Sequence, residues 1–268
     1  MKISIITPSF NQGRFIEQNI LSVLNQNYPN FEHIVVDGGS TDDTLVILKK
    51  YPHLKWISEK DEGQADALNK GFKMSSGEII GWLNADDYYL PNTFNKVAMH
   101  FLNKKVKWIV GNIRLYFLEI NKMMDCKSPR ITYQSILTSP DIVKQQGTFF
   151  RRSILVQVGG WNKKYFMVMD FDLWLRLSKI TPPKMVDDYF AVFVIHSHQK
   201  TNPKNIIRQT KEIIEILRMN KASVICIGRI VIKKINNLLR YLIKLFLIKI
   251  GFIEKDFENI PWRTIKKL

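Results

Sequence analysis

At 268 residues with 46% apolar side chains, the chain is long enough to bury a large core, which excludes disorder as its default state. Its two cysteines, Cys126 and Cys226, lie far apart and set out neither a disulfide framework nor a metal-ligand spacing, which points to a reducing compartment. The formal net charge of +16 is uneven: sixteen Lys and Arg face five Asp and Glu from residue 200 onward, so the tail is the basic part.

The opening, MKISIITPSFNQGRF, has one lysine and a short apolar run broken by Pro8 and Asn11, too polar for a signal peptide. The expected location is therefore the cytoplasm or the inner face of its membrane. Residues 3–7 read as a strand, and Phe15, Ile16, Ile20, Val23 and Leu24 recur at helical spacing over residues 15–26. A second strand over 33–37 runs into Gly38, Gly39 and a helix starting near Ser40, where Ser40 and Asp43 fit a capping box. A strand at 56–58, a helix over 65–74 and a strand at 79–83 continue the alternation, which predicts a mostly parallel sheet with helices on both faces. Residues 108–136 are less regular, with room for a hairpin; 147–151 reads as a strand and 170–179 as a helix. Beyond Asn202-Pro203, a boundary signal, residues 205–219 and 222–250 are helical in pattern.

In sheets of this kind ligands collect at the carboxyl ends of the strands, and those ends read Thr7-Pro8-Ser9, Asp37-Gly38-Gly39 and Asn84-Ala85-Asp86-Asp87. Neither a GxGxxG turn nor a GxxxxGK[ST] loop is present to cradle phosphates. Asp86 and Asp87 follow an apolar strand, where two carboxylates repel unless a cation or solvent separates them. Mn²⁺ or Mg²⁺, held by one or two carboxylates with phosphates completing the shell, suits a site poor in His and Cys. A solvated turn with Asp as a helix cap accounts equally for a lone Asp-Asp pair.

The strings TPSFNQGRFIEQNILSVLNQNYPNFEHIVVDGGSTDDT, EKDEGQADALNKGF and GEIIGWLNADDYYLP closely resemble the nucleotide-sugar-binding half of family 2 glycosyltransferases, and QQGTFFRRSIL and GGWNKKYFMVMDFDLWLRL extend the resemblance loosely to about residue 201. It implies an α/β fold of GT-A type over residues 1–201, with a nucleotide-sugar half to about 112 and an acceptor half from 113, and a basic helical appendage over 202–268. By the same resemblance Thr7, Pro8 and Ser9 line the nucleoside pocket, Asp37 accepts from the base, usually uracil, and Gln64 and Asp66 contact the nucleotide. The family's metal motif falls on Asn84-Ala85-Asp86, so an amide replaces its first acid and Asp86 is the expected ligand, with Asp87 beside it.

Asp170 aligns with the family's catalytic base, Asp172 lies two residues on, and Met169 takes the position of the usual first acid of that pair. His196, in VIHSHQKT, resembles a short stretch that closes over the donor diphosphate, with His198 behind it. The resemblance implies a single inverting displacement: Asp170 deprotonates an acceptor hydroxyl while a divalent cation on Asp86 stabilises the leaving diphosphate. The implied partners are a nucleotide-sugar donor, most often a UDP sugar, and a glycan or lipid-linked glycan acceptor of surface polysaccharide synthesis. A nucleotidyltransferase would need a Gly- and Lys-rich loop where Phe10-Asn11-Gln12-Gly13 stands. A non-enzymatic basic protein coating nucleic acid or membrane would leave the acidic strand ends unexplained, and nucleic acid is not an expected partner. In 222–250, Arg229, Lys233, Asn236, Asn237, Arg240 and Lys244 fall within about 100° of arc. No uncharged run there can span a bilayer, so a helix lying on an anionic membrane surface is expected, with packing on the domain or in a dimer as its alternative.

Overall fold

The computed structural model describes residues 1–196, 199–200 and 205–250. The β-branched runs form the expected strands: β1 (Ile3–Ser9), β2 (Phe31–Asp37), β3 (Lys55–Ser58) and β4 (Ile79–Trp82). They pair in parallel in the order β3-β2-β1-β4. Three helices make the crossovers, α1 (Ile16–Leu24), α2 (Thr44–Lys49) and α3 (Gln64–Met74). α3 packs tightly enough on β1 and β2 that a Cβ at Gly71 would run into Ile6 and Val36. This half is the one that short-range alternation predicts, because a strand buried on both faces reads as a continuous apolar run and needs a helix to return.

α2 begins at Thr44, later than the capping-box reading placed it. The Ser40 hydroxyl is spent on Asp37, and Asp42 accepts the Thr44 amide instead (3.0 Å), so an Asx turn, not Ser40, starts the helix.

Beyond β4 the sheet becomes mixed. The chain passes through β5 (Tyr88–Tyr89), α4 (Thr93–Phe101), β6 (Trp108–Phe117) and β7 (Lys122–Cys126), with β6 and β7 forming the expected hairpin. Then come α5 (Tyr133–Thr138), β8 (Thr148–Arg151), α6 (Arg152–Val158), α7 (Met169–Ile180) and β9 (Lys184–Ile195). β8 lies antiparallel between β4 and β6, β9 runs parallel to β6, and β5 caps the edge antiparallel to β9. Trp108, Phe150 and Trp174 stack with centroids 5.7–6.4 Å apart and tie α7 to this half of the sheet.

The tail folds as α8 (Ile206–Met219) and α9 (Val224–Lys249). Ile213, Ile216 and Leu217 of α8 and Ile230 of α9 belong to the same buried cluster as Trp108 and Trp174. Both helices therefore share the core of the sheet domain, and the boundary expected at Asn202-Pro203 lies outside the described residues. α9 turns one face inward through Ile230, Lys234 and Tyr241, and exposes Ile232, Ile235, Leu239, Leu242, Ile243 and Phe246. Lys234, outside the helix's polar arc, reaches Gln209 (2.9 Å) and Asp141 (3.5 Å) beneath it.

Candidate active site

Strand register assembles the first part of the site. Ser9 lies opposite Asp37, which lies opposite Ser58, so three polar residues line up where β1, β2 and β3 end. The Asp37 carboxylate is wholly buried and accepts from the Gly39 and Ser40 amides (3.1 and 2.8 Å) and from the Ser40 and Ser58 hydroxyls. Its oxygens are thus committed to the Gly38–Ser40 turn and to Ser58 rather than turned toward a base, which departs from the sequence expectation, and Gly39 takes the left-handed φ of 84° that lets the turn close on it. Ser9 Oγ is buried without a hydrogen-bond partner, an orphaned hydroxyl beside this turn. Pro8 is buried next to it. Thr7 departs from the sequence expectation: its hydroxyl points into the interior at His33 Nε2 (2.9 Å) and Asn19 (3.4 Å), so only its backbone belongs to the pocket edge. Phe10, 59% exposed, flanks the same turn, as does the Asp61 carboxylate, 2.9 Å from where a Cβ on Gly38 would sit.

The Asn84–Asp87 turn is clamped from α1, where the buried Asn19 amide donates to Asn84 O (2.8 Å) and Asp87 O (3.0 Å). The two acids then part company. Asp86 stays partly exposed with Oδ2 3.1 Å from His196 Nε2, and the His196 ring stacks on Phe15 at 4.3 Å. This meeting follows from the antiparallel pairing of β5 with β9, which sets the residues before Tyr88 against those at the end of β9.

Asp87 turns inward, 1% exposed, and accepts from Gln146 Nε2 (2.8 Å) and Val194 N (3.0 Å). Burial, with the Asp86 charge adding, pushes its carboxyl well above the usual range. Both Asp87 oxygens are committed inside the protein, which corrects its expected role as a metal ligand. The Asp86 carboxylate, with phosphate oxygens and water as further ligands, suits Mn²⁺ or Mg²⁺, and the His196 imidazole beside it is a ligand that Mn²⁺ accepts more readily than Mg²⁺, so the residues present fit Mn²⁺ best. Among the described residues no cluster of three or more His, Cys, Asp and Glu surrounds it.

Asn84 Oδ1 accepts from Gln64 Nε2 (2.7 Å) and Trp82 Nε1 (2.8 Å), and Gln64 Oε1 accepts from Lys200 Nζ (3.3 Å). Gln64 thus joins the site directly. Asp66, two residues on in α3, does not: it accepts from the Glu62 amide (3.3 Å) and pairs with Lys163 (3.2 Å) and Lys70 (3.3 Å), and these bonds outweigh burial to hold its carboxyl below the usual range. Its expected nucleotide contact is replaced by a structural tie between α3 and the loop before α7.

Asp170 opens α7, where its Oδ1 accepts its neighbour's Phe171 amide (2.8 Å). Burial raises its carboxyl to about 6, against the pull of that amide; the Asp141 charge adds to the rise and Lys200 opposes it. A carboxylate poised this close to neutrality is suited to taking a proton. Asp172 Oδ2 accepts from Arg176 Nε (2.8 Å) within an ion pair that also brings Arg176 Nη2 to 2.7 Å, while Arg176 Nη1 donates to the Val158 and Gly160 carbonyls. The Arg176 bonds to Val158 and Gly160 pin α7 to the end of α6, and the ion pair leaves Asp172 unsuited to base chemistry, which corrects its candidacy. His198 lies outside the described residues.

Three contributors escaped the sequence reading. Phe10 and Asp61 stand inside quoted strings, but nothing local distinguished them from surface residues. Lys200 stands near the end of VIHSHQKT, where the basic tail begins, and only the fold lays it over the Phe166 ring at 4.0 Å and beside Gln64.

An α/β sheet that turns from parallel to mixed and gathers acids, an imidazole and orphaned polar groups at one edge has the architecture of GT-A glycosyltransferases. It superposes on Staphylococcus aureus TarS 1-349 in complex with UDP with a TM-score of 0.63 and 20% identity, covering 81% of this chain and 65% of that one. It also superposes on a Pyrobaculum calidifontis mannosyltransferase in complex with GDP-Man and Mn²⁺, with a TM-score of 0.58 and 18% identity over 80% of this chain and 62% of the other. The pattern described as glycosyl transferase family 2 matches residues 4–159, and the chain belongs to that family. An uncharacterised glycosyltransferase of Mycobacterium tuberculosis is 29% identical over 189 residues, 68% of this chain and 70% of that protein. Escherichia coli chondroitin synthase is 28% identical over 207 residues, 75% of this chain but 30% of that much longer protein. The chain is a glycosyltransferase.

Proposed function

We propose that this glycosyltransferase moves a sugar from a UDP donor to an acceptor hydroxyl of a surface polysaccharide or lipid-linked glycan, by one displacement that inverts the anomeric carbon. The observation that carries this reading is the separation of duties among its acids: Asp86 meets His196 at 3.1 Å, while Asp170 stands apart from them with a raised carboxyl of about 6. Asp86 and His196 would hold a divalent cation, which supplies charge stabilisation to the departing diphosphate. Asp170 takes the proton of the acceptor hydroxyl as that oxygen attacks, so no covalent nucleophile on the protein is required. Ser9 Oγ, lacking a partner of its own, is available to the nucleoside, and the exposed Phe10 ring offers the base an apolar face. Asp37 supports this pocket by holding the Gly38–Ser40 turn at its edge. The UDP-bound relative of the same fold is consistent with a uridine donor.

The acceptor reading extends to the membrane. α9 is anchored through Lys234 to Asp141, whose charge is felt by Asp170, and it presents Ile232, Leu239, Ile243 and Phe246 to solvent beside Arg229, Lys233 and Arg240. Among the described residues no helix is long and apolar enough to cross a membrane. An apolar stripe edged by cations suits the surface of an anionic leaflet, at about 1 kcal/mol per charge near the headgroups. A peripheral enzyme on the cytoplasmic face would thereby meet a lipid-linked acceptor.

The test is binding of UDP followed by melting temperature with and without Mn²⁺, and then release of UDP from a set of UDP sugars. A Mn²⁺-dependent rise in the wild type that disappears in Asp86→Ala is the expected result. An undiminished rise in that variant would remove the metal assignment, and the absence of any response to UDP would remove the donor assignment. Co-sedimentation with anionic vesicles, set against neutral ones, addresses the membrane reading: equal partitioning refutes it.

A further inference from the structure

α8 and α9 leave an open groove between the start of the one and the middle of the other, of about 200 Å³, walled by Ile206, Ile207 and Thr210 on one side and by Val231, Ile235 and Leu238 on the other. At about 30 Å³ for a group the size of water or a methylene, it seats about six or seven carbons, enough for a stretch of one hydrocarbon chain and too little for two abreast. The Thr210 hydroxyl is spent on the Ile206 carbonyl (2.6 Å), so the walls present hydrocarbon and nothing that would orient a sugar or a base.

Two lysines line the same groove, and they differ. Lys234 lends it only the stem, because its ammonium crosses to Gln209 (2.9 Å) and Asp141 (3.5 Å). Lys211 is exposed and forms no ion pair with any described residue, so a positive charge stands beside an apolar groove. A phosphate joined to a hydrocarbon chain complements both features, the chain filling the walls and the anion meeting Lys211.

The position of the groove says which lipid has a use for it. Ile235 belongs both to its wall and to the exposed apolar stripe of α9, so the groove continues the surface that faces the bilayer in the membrane reading. Lys234, at the groove, pairs with Asp141, whose charge is felt by Asp170, so the groove lies one ion pair away from a carboxylate that acts on the proposed base. A bulk phospholipid gains nothing from that neighbourhood, whereas an acceptor must be brought to it.

We infer that the groove between α8 and α9 binds the hydrocarbon chain of a lipid-phosphate-linked acceptor, with Lys211 on its phosphate. This rests on the reading of the protein as a glycosyltransferase with a lipid-linked acceptor. The tail helices, which follow the family-matched residues 4–159, then select the acceptor by its carrier and not by its sugar.

The experiment is calorimetric binding of butyl phosphate and decyl phosphate, below micellar concentration, to the full chain as wild type, Val231→Trp and Lys211→Gln. Each methylene taken out of water contributes about fourfold, so decyl phosphate is expected to bind at least a hundredfold more tightly than butyl phosphate, on the order of what a partly enclosing groove supplies. Val231→Trp, whose ring fills the groove, and Lys211→Gln, which removes its charge, are each expected to weaken decyl phosphate about tenfold or more while leaving UDP binding unchanged. Photolysis of a decyl phosphate carrying a diazirine at its chain end should label residues 206–211 and 231–238 of the wild type, a readout independent of how the variants fold. Equal decyl phosphate affinity in the wild type and both variants overturns the inference, as does labelling confined to Leu239, Ile243 and Phe246, which would place the chain on the exposed stripe alone. Phosphatidylglycerol vesicles that displace the probe as well as vesicles carrying hexadecyl phosphate at equal charge overturn it too, because the groove would then serve bulk lipid. So does a dimer, seen by light scattering, that Val231→Trp dissociates, because a second copy would then be the occupant. A chain that takes decyl phosphate into the groove yet gives no response to UDP removes the donor reading and with it the acceptor's role, whereas failure of the groove leaves the UDP response intact.

Discussion

Asp170→Asn is the substitution that most directly tests the proposed chemistry. The carboxyl titrates at about 6 chiefly because α7 buries it, so its ionised, proton-accepting form fills only as pH rises through that value. Turnover should accordingly climb with unit slope below about pH 6 and level off above it. At pH 5 a group titrating near 6 is about one-tenth ionised, whereas a carboxyl at its ordinary value would be about nine-tenths ionised, so the two cases differ by nearly an order of magnitude. The amide preserves the shape of the side chain but cannot take a proton, and a loss of about a hundred- to ten-thousandfold is expected. UDP release should be followed as kcat/KM for the acceptor, which reports the groups of the free enzyme, from about pH 4 to pH 8, with UDP affinity measured alongside and expected to change little. An acid limb centred near pH 4 in the wild type, or an Asp170→Asn variant within about tenfold of it, would refute the assignment.

Asp172→Asn should act on stability instead, because it breaks the ion pair with Arg176 and leaves that guanidinium on carbonyls alone; a loss of about 1–3 kcal/mol in urea unfolding with near-normal turnover is expected. If this variant is inactive and Asp170→Asn is active, the base is Asp172. Gly71→Ala should cost about 1–3 kcal/mol in the same assay, since the added methyl has no room between α3 and the Ile6 and Val36 side chains. Glu32 is buried, which alone would raise its carboxyl, but Lys55, Ser4, the Ser76 amide and Lys2 outweigh burial and hold it well below the usual range. A depressed carboxyl contributes stability that is complete above its unfolded value of about 4.5 and is lost as pH falls below it. The stability gap between wild type and Glu32→Gln, measured by urea unfolding, should therefore be widest near neutrality and shrink below about pH 4.

The sequence by itself determined the parallel half of the sheet and the strand ends on which the site is built, while the enzyme class came from its resemblance to family 2 glycosyltransferases. Those signals are local: an apolar run, a helical period and a polar residue at the end of each strand are written in neighbouring residues, and parallel strands necessarily finish at one edge. It could not decide which of two nearby acids faces the ligand. Asp86 and Asp87 are adjacent, yet the turn sends one toward His196 and the other onto Gln146 and Val194, partners more than fifty residues away. Asp170 and Asp172 are separated by about 200° around α7, so only the presence of Arg176 one turn further along, and of Val158 and Gly160 facing it, assigns Asp172 to structure. The mixed half of the sheet, the inward face of α9 and the arrival of Lys200 beside Gln64 depend likewise on pairings distant in sequence, for which no local periodicity exists, and they are settled only when the chain closes on itself.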